Sequence, residues 1–192
     1  MSMAIDVYNA YASQLSVLDQ PLYNGKVIGT GTTVKLQFFS DTIASVGEQL
    51  TNLDTAGYLP SNWPYFIIDG IGIKFSDTTP LATADINKFL QNSTYVYKRA
   101  GATIKWGRLG EFANRIGTFS MAPTVASSTT LAPADFPGIR KSVVPLKVKD
   151  VIKSGEAFSF TVLYSAASGV SSFTNTRLYV YFFGELNKKL AG

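Results

Sequence analysis

Alternation at period two dominates this chain. From Trp63 to Phe75, one set of alternate positions reads Tyr65, Ile67, Asp69, Ile71, Ile73 and Phe75. The other reads Phe66, Ile68, Gly70, Gly72 and Lys74. Apolar groups in both sets predict a strand covered on both faces for much of its length. β-Branched and aromatic residues suit a pleated, packed surface. Asp69 interrupts the first set, and Gly70 and Gly72 remove side chains just after it, which predicts a bulge or a close backbone approach in mid-strand. Gly70-Ile71-Gly72 does not make a phosphate-binding loop, because a third glycine and a following helix are missing.

The same period recurs on both sides of this stretch. Before it, the sheet is expected to begin over Lys26–Phe39, with a turn at Gly29-Thr30-Gly31 and with Val34, Leu36 and Phe38 alternating with Thr33, Lys35 and Gln37. Residues 40–62 are rich in Ser, Thr, Asn, Asp and Gly and broken by Leu50, Leu53 and Leu59, which reads as an exposed functional or contact loop. After it, Pro80 opens a helix carrying Leu81, Ala84, Ile86, Phe89 and Leu90. Ala100-Gly101 then joins Thr94–Arg99 to Ala102–Trp106 in a hairpin. Residues 107–140, with the run Ala126–Thr130, read as a surface excursion. Val144, Leu146 and Val148 alternate with Lys147 and Lys149, and a turn at Lys153–Glu156 leads to Phe158, Phe160, Val162 and Tyr164. In Arg177–Phe183, Leu178, Val180 and Phe182 face one way, while Tyr179, Tyr181 and Phe183 face the other. At the start, Ile5, Tyr8, Ala12, Leu15 and Leu18 have helix-like spacing, so residues 1–25 form either a short helix or an arm.

These elements describe one all-β domain over residues 1–192: a sandwich or jelly roll of about eight antiparallel strands, with one short helix and long loops. The doubly apolar last strand needs a cover on its second face. Candidates are the 107–140 excursion, the N-terminal segment or another subunit, which makes Tyr179, Tyr181 and Phe183 the candidate subunit interface.

Composition removes most chemistry. The 192 residues contain no Cys and no His, which excludes disulfides, Cys nucleophiles, imidazole bases and His-ligated metals, including a cupin-type metal enzyme. No cofactor is expected. With 46% hydrophobic and 16% charged residues, the chain is too apolar for disorder and too lightly charged for a coiled coil. No window approaches the roughly 18 apolar residues of a membrane span. The N-terminus lacks a basic n-region, so no signal peptide is expected. The net charge of +4 is scattered, and implies a weak preference for phosphates rather than sequence-specific nucleic-acid binding.

Three pieces of the first half, Phe38-Phe39-Ser40-Asp41, Thr51-Asn52-Leu53 to Leu59-Pro60, and Tyr65 to Ile73, together resemble the opening half of small jelly-roll capsid proteins of membrane-containing icosahedral phages. Val144–Val148 and Lys153–Val162 resemble their closing strands. The resemblance spans residues 33–183 and is one of pattern and order. It implies a single jelly roll that does no chemistry and assembles as dimers or pseudo-hexamers, with itself and other capsid subunits, over a viral membrane. Such a protein is made in the host cytoplasm and resides in the virion. The alternative from another class is a carbohydrate- or host-receptor-binding jelly-roll module of a spike.

Few residues remain as candidates for chemistry. A carboxylate pair is the one hydrolytic device that needs no His, and Asp69 is its best member. An Asp in such a place more often bonds a bulged backbone or pairs with Lys or Arg. No Ser-x-x-Lys motif occurs, and Asn92-Ser93-Thr94 reads as a turn rather than a glycosylation acceptor. Tyr95, Tyr97, Trp63 and Trp106 could form a sugar-stacking platform, although core packing accounts for them more simply. Arg140, Lys141, Lys147, Lys149, Lys153, Lys188 and Lys189 are the candidate contact for an anionic surface, either lipid headgroups or an acidic neighbour. Otherwise they form an ordinary solvated face.

Overall fold

A computed structural model describes residues 15–18, 21–29, 33–60, 62–76, 81–112, 121–123, 130–133, 143–165, 173 and 176–189. In chain order, the strands are β1 (Leu15–Leu18), β2 (Leu22–Val27), β3 (Thr33–Phe38), β4 (Tyr65–Ser76), β5 (Leu81–Ala82), β6 (Thr94–Arg99), β7 (Ala102–Arg108), β8 (Met121–Pro123), β9 (Thr130–Pro133), β10 (Val143–Lys153), β11 (Phe158–Ser165) and β12 (Arg177–Lys189). Helix α1 (Ile43–Val46) follows β3, α2 (Thr83–Asn92) follows β5, and a 3-10 turn (Leu109–Phe112) follows β7.

The result is an all-β sandwich of two antiparallel sheets. One runs β2-β12-β4-β10, with β1 extending the β2 edge along the far end of β12. The other runs β3-β11-β6-β7, and β5-β9-β8 make a small third sheet. The pairing is nested: β2 pairs with β12, β3 with β11, β4 with β10, and β6 with β7. Between the sheets lies an aromatic core. Phe182 of β12 packs against Phe39, Tyr97, Phe158 and Phe160, with ring centroids 4.6 to 6.2 Å apart. From α2, Phe89 closes one end against Phe75, Tyr164 and Phe173.

The expectation that β4 is covered on both faces is corrected. Phe66 and Ile68 point inward before Asp69, whereas Ile71, Ile73 and Phe75 point inward after it. Phe183 pairs with Gly70 and Gly184 with Ile68, so Asp69 is an extra residue opposite β12. One inserted residue reverses the phase of a period-two strand. That is why both alternate sets are apolar, and the bulge lies where Asp69 and the glycines predicted it.

Other boundaries also move. Residues 15–18 are strand, not helix, because β12 is long enough to offer its far end as an unpaired edge; residues 1–14 lie outside the described residues. The stretch Lys26–Phe39, expected to begin the sheet with a turn at Gly29–Gly31, divides between β2 and β3, which lie in opposite sheets, with Thr30 and Gly31 outside the described set. The helix is displaced to Thr83–Asn92, and Asn92-Ser93-Thr94 is the junction into β6. The 107–140 stretch begins in the core rather than on the surface, since Leu109 and Phe112 are fully buried. It then contributes β8 and β9, while residues 113–120, 124–129 and 134–142 lie outside the described set.

Within residues 40–62, the segment 48–52 straps the β2 edge while Ser40, Ala44, Ser45, Asp54 and Thr55 stay exposed, so the stretch is a contact loop. Gly25 N–H donates to Leu50 O (2.7 Å), Tyr23 N–H donates to Asn52 Oδ1 (3.0 Å), and Asn24 forms a bridge with Thr51. Buried Asn24 accepts from Phe39 N–H (2.9 Å) and donates to Leu50 O (3.1 Å). Leu53 and Leu59 anchor the strap in the core. An uncovered strand edge needs partners for its peptide groups, and this polar segment supplies them.

Candidate functional site: the outer faces of the two sheets

On the outer face of the β2-β12-β4-β10 sheet, Tyr179, Tyr181 and Phe183 form a continuous row. Ring centroids are 6.3 Å apart for the first pair and 5.7 Å for the second, and Tyr23 lies 6.1 Å from Tyr181. The row is built on glycine. A Cβ at Gly25 would lie 2.5 Å from the Tyr179 ring, and one at Gly72 would lie 2.7 Å from the Phe183 ring. The rings therefore lie down over neighbouring strands where side chains are missing. All three remain only half-buried. Burial and the neighbouring phenols of Tyr179 and Tyr23 push the Tyr181 hydroxyl up to about 12. The candidate interface thus exists as one surface, partly covered by its own strand neighbours.

The basic candidates scatter. Across from Asp69, β10 loops out between Pro145 and Asp150. The alternation expected for Val144, Leu146 and Val148 breaks there: Val144 and Leu146 pack against the core, while Val148 is 81% exposed beside exposed Lys147. The Lys149 ammonium sits 2.8 Å from Asp69 Oδ1, which raises the Lys149 pKa. Asp69 is therefore a half-exposed carboxylate whose Oδ1, itself shielded from water, is occupied by a lysine. Lys153 is exposed at the end of β10. Arg140 and Lys141 lie outside the described residues. Of Lys188 and Lys189 only the backbone is described, paired with Ser16 and Leu15.

Inside the sandwich mouth, a polar clamp ties β6 to β10. Tyr97 O–H donates to Asp150 Oδ2 (2.6 Å), Arg99 Nε donates to both Asp150 oxygens (3.1 Å each), and an Arg99 terminal nitrogen reaches Glu156 Oε2 (3.1 Å). Lys153 N–H also donates to Glu156 (3.2 Å). This backbone hydrogen bond, ahead of Arg99, holds the Glu156 carboxyl below the usual range, although burial opposes it. Burial, then Asp150, pushes the Tyr97 phenol up. Both carboxylates are engaged by Arg99, so the clamp is suited to fastening strands rather than to moving protons. Among the described residues, no group of three or more Asp or Glu could hold a metal ion.

Tyr95 and Tyr97 are fully buried and form no sugar platform, and Trp63 packs against the core. Trp106 differs. It stands 75% exposed on the edge strand β7, on the outer face of the second sheet. The hairpin reading of Ala102–Trp106 assigned Trp106 no face; which side is wet depends on β6 and on the bulge that β7 makes there. No described helix is long and apolar enough to cross a membrane. Compared with known proteins, the chain matches no family model, no curated protein and no solved structure.

Proposed function

We propose that the chain is a viral coat subunit: a single jelly roll that assembles with copies of itself and other coat subunits into the icosahedral shell of a bacteriophage virion, without catalysing a reaction. The nested pairing supports the jelly roll. Leaving aside β1 and the small third sheet, the first strand pairs with the last, the second with the next to last, and so on down to the β6–β7 hairpin. That is a long antiparallel hairpin rolled into a sandwich. The observation that carries the assembly is the half-buried row Tyr179-Tyr181-Phe183. An aromatic row on an outer sheet face leaves apolar surface in water until a neighbour covers it.

The exposed basic residues at the β10 bulge face an anionic neighbour or the lipid headgroups beneath the shell in this assignment. Lysines near such a surface contribute about 1 kcal/mol each, and Lys149 contributes least because Asp69 already occupies it. Cosedimentation with anionic liposomes over a salt series should weaken when Lys147 and Lys153 become Gln, and unchanged binding would remove lipid from the assignment.

Sedimentation velocity and electron microscopy of the purified chain over a wide concentration range test the assembly. Dimers or larger species that recede when Phe183 is replaced by Ser are the expected result. A monomer at every concentration, together with only a few copies per purified particle, would overturn the coat assignment.

A further inference from the structure

The second outer face carries chemistry that a coat lattice does not require. None of the strands β3, β11, β6 and β7 contains an Asp or a Glu, yet together they carry Lys35, Lys98, Arg99, Lys105 and Arg108. Arg99 is taken up by Asp150 and Glu156, and Lys105 lies 3.8 Å from Glu111. Lys35, Lys98 and Arg108 have no carboxylate partner among the described residues.

The strand register gathers them around Trp106. Across the sheet, Trp106 pairs with Val96, Val96 with Thr161, and Thr161 with Gln37. Two residues along the strands, Arg108 pairs with Thr94, Thr94 with Leu163, and Leu163 with Lys35. On the other side of the Trp106 row lies Lys98, paired with Thr103. Neighbouring strands lie about 4.8 Å apart and alternate residues about 6.7 Å apart. Arg108, Lys98 and Thr94 thus flank the exposed indole within about 8 Å, and the apolar Val96, Ile104 and Leu163 share the same face. Thr161 lies two strands away, and Gln37 and Lys35 lie three strands away.

We propose that this face binds an acidic polysaccharide. The Trp106 indole stacks on the apolar face of one sugar ring, Thr94 bonds a hydroxyl of that ring, Thr161 and Gln37 bond hydroxyls of the following rings, and Arg108, Lys98 and Lys35 pair with carboxylates or sulfates along the chain. An uncovered indole with uncompensated cations beside it calls for a ligand that is both flat and anionic. Single-stranded nucleic acid shares those traits, but its binding sites stack successive bases on several aromatic rings. Among the described residues this face offers one aromatic ring, Trp106, so the polysaccharide is favoured. The assignment does not depend on assembly, because Phe183 lies on the opposite sheet.

The test is affinity electrophoresis or calorimetry of the full chain at low ionic strength. The probes are polygalacturonate, dextran sulfate, neutral dextran and oligo(dT). One or both acidic polysaccharides should bind, and the pair separates carboxylate from sulfate recognition. Neutral dextran should bind at least tenfold more weakly. Trp106→Ala, at an exposed position that leaves the core untouched, should lower affinity about tenfold with an unchanged circular dichroism spectrum. Arg108→Gln with Lys98→Gln should flatten the salt dependence. Failure of both acidic polysaccharides to bind, or binding unaffected by Trp106→Ala, would overturn the proposal. So would oligo(dT) binding more tightly than either polysaccharide and in a Trp106-dependent way.

Discussion

Phe182 and Phe183 are adjacent in sequence but face opposite sides of β12, so replacing each by Ala separates core packing from surface contact within one strand. Phe182 is fully buried among the rings of Phe39, Tyr97, Phe158 and Phe160. Removing its ring forfeits about 2.5 kcal/mol of transfer free energy and leaves a cavity that rigid aromatic neighbours cannot fill. The total should be about 4 kcal/mol. Phe183 keeps a minor part of its ring in water over Gly72, so most but not all of the transfer term is lost, and water enters the open side instead of leaving a void. Its cost to the isolated subunit should be about 2 kcal/mol. At about 2–4 °C per kcal/mol for a chain of this size, Phe182→Ala should lower Tm by about 8–16 °C and Phe183→Ala by about 4–8 °C. Denaturant unfolding at concentrations where the chain is monomeric gives both values, with the slope checked for constancy. Sedimentation should then show weakened self-association for Phe183→Ala. Equal losses of stability would mean that the outer face is already closed within one subunit, and would refute the contact role assigned to the aromatic row.

Three further outcomes follow from the same geometry. Gly184→Ala should cost about 3 kcal/mol, because its Cβ would overlap the Ile67 carbonyl oxygen at the bulge; a change in Tm below that of Phe183→Ala would contradict this packing. Glu156 has a depressed pKa, so its contribution is complete above the ordinary glutamate range and is lost as pH falls through the folded value. The acid-induced drop in Tm should therefore be smaller in Glu156→Gln, and an identical drop would count against the clamp. Tyr181 is pushed up to about 12, so its contribution is complete below the ordinary tyrosine value and is lost as pH rises through the folded one; the alkaline loss of stability between about pH 10 and 12 should diminish in Tyr181→Phe, measured by unfolding at each pH.

Much of this protein was legible in the order of its residues. Period-two alternation marked β3, β4, β11 and β12, and the Ala100-Gly101 hairpin that joins β6 to β7 lies where its turn residues put it, with both at positive φ. The bulge at Asp69 was announced by a carboxylate and two glycines in an apolar run. The absence of Cys and His closed whole classes of chemistry before any fold was known. These are local signals: alternation follows from the pleat, and residue types limit reactions wherever they fall.

What escaped depends on partners distant in the chain. Sequence cannot say that β2 and β3 join different sheets, because an interrupted strand and a crossing between sheets carry the same turn residues. Nor could it show that Asp69 reverses the inward face of β4, since a bulge is defined by the residues opposite, here Phe183 and Gly184. Residues 40–62 read as an exposed functional or contact loop, and what they contact shows only once the β2 edge provides the N–H and C=O groups they satisfy. Val148 and Trp106 each follow a strand's alternation on paper. One is pushed into water by the four-residue excursion of β10 between Pro145 and Asp150, and the other stands on the outer face of β7, with no strand beyond it among the described residues. Side-chain period is a property of one strand. Burial is a property of everything packed against it.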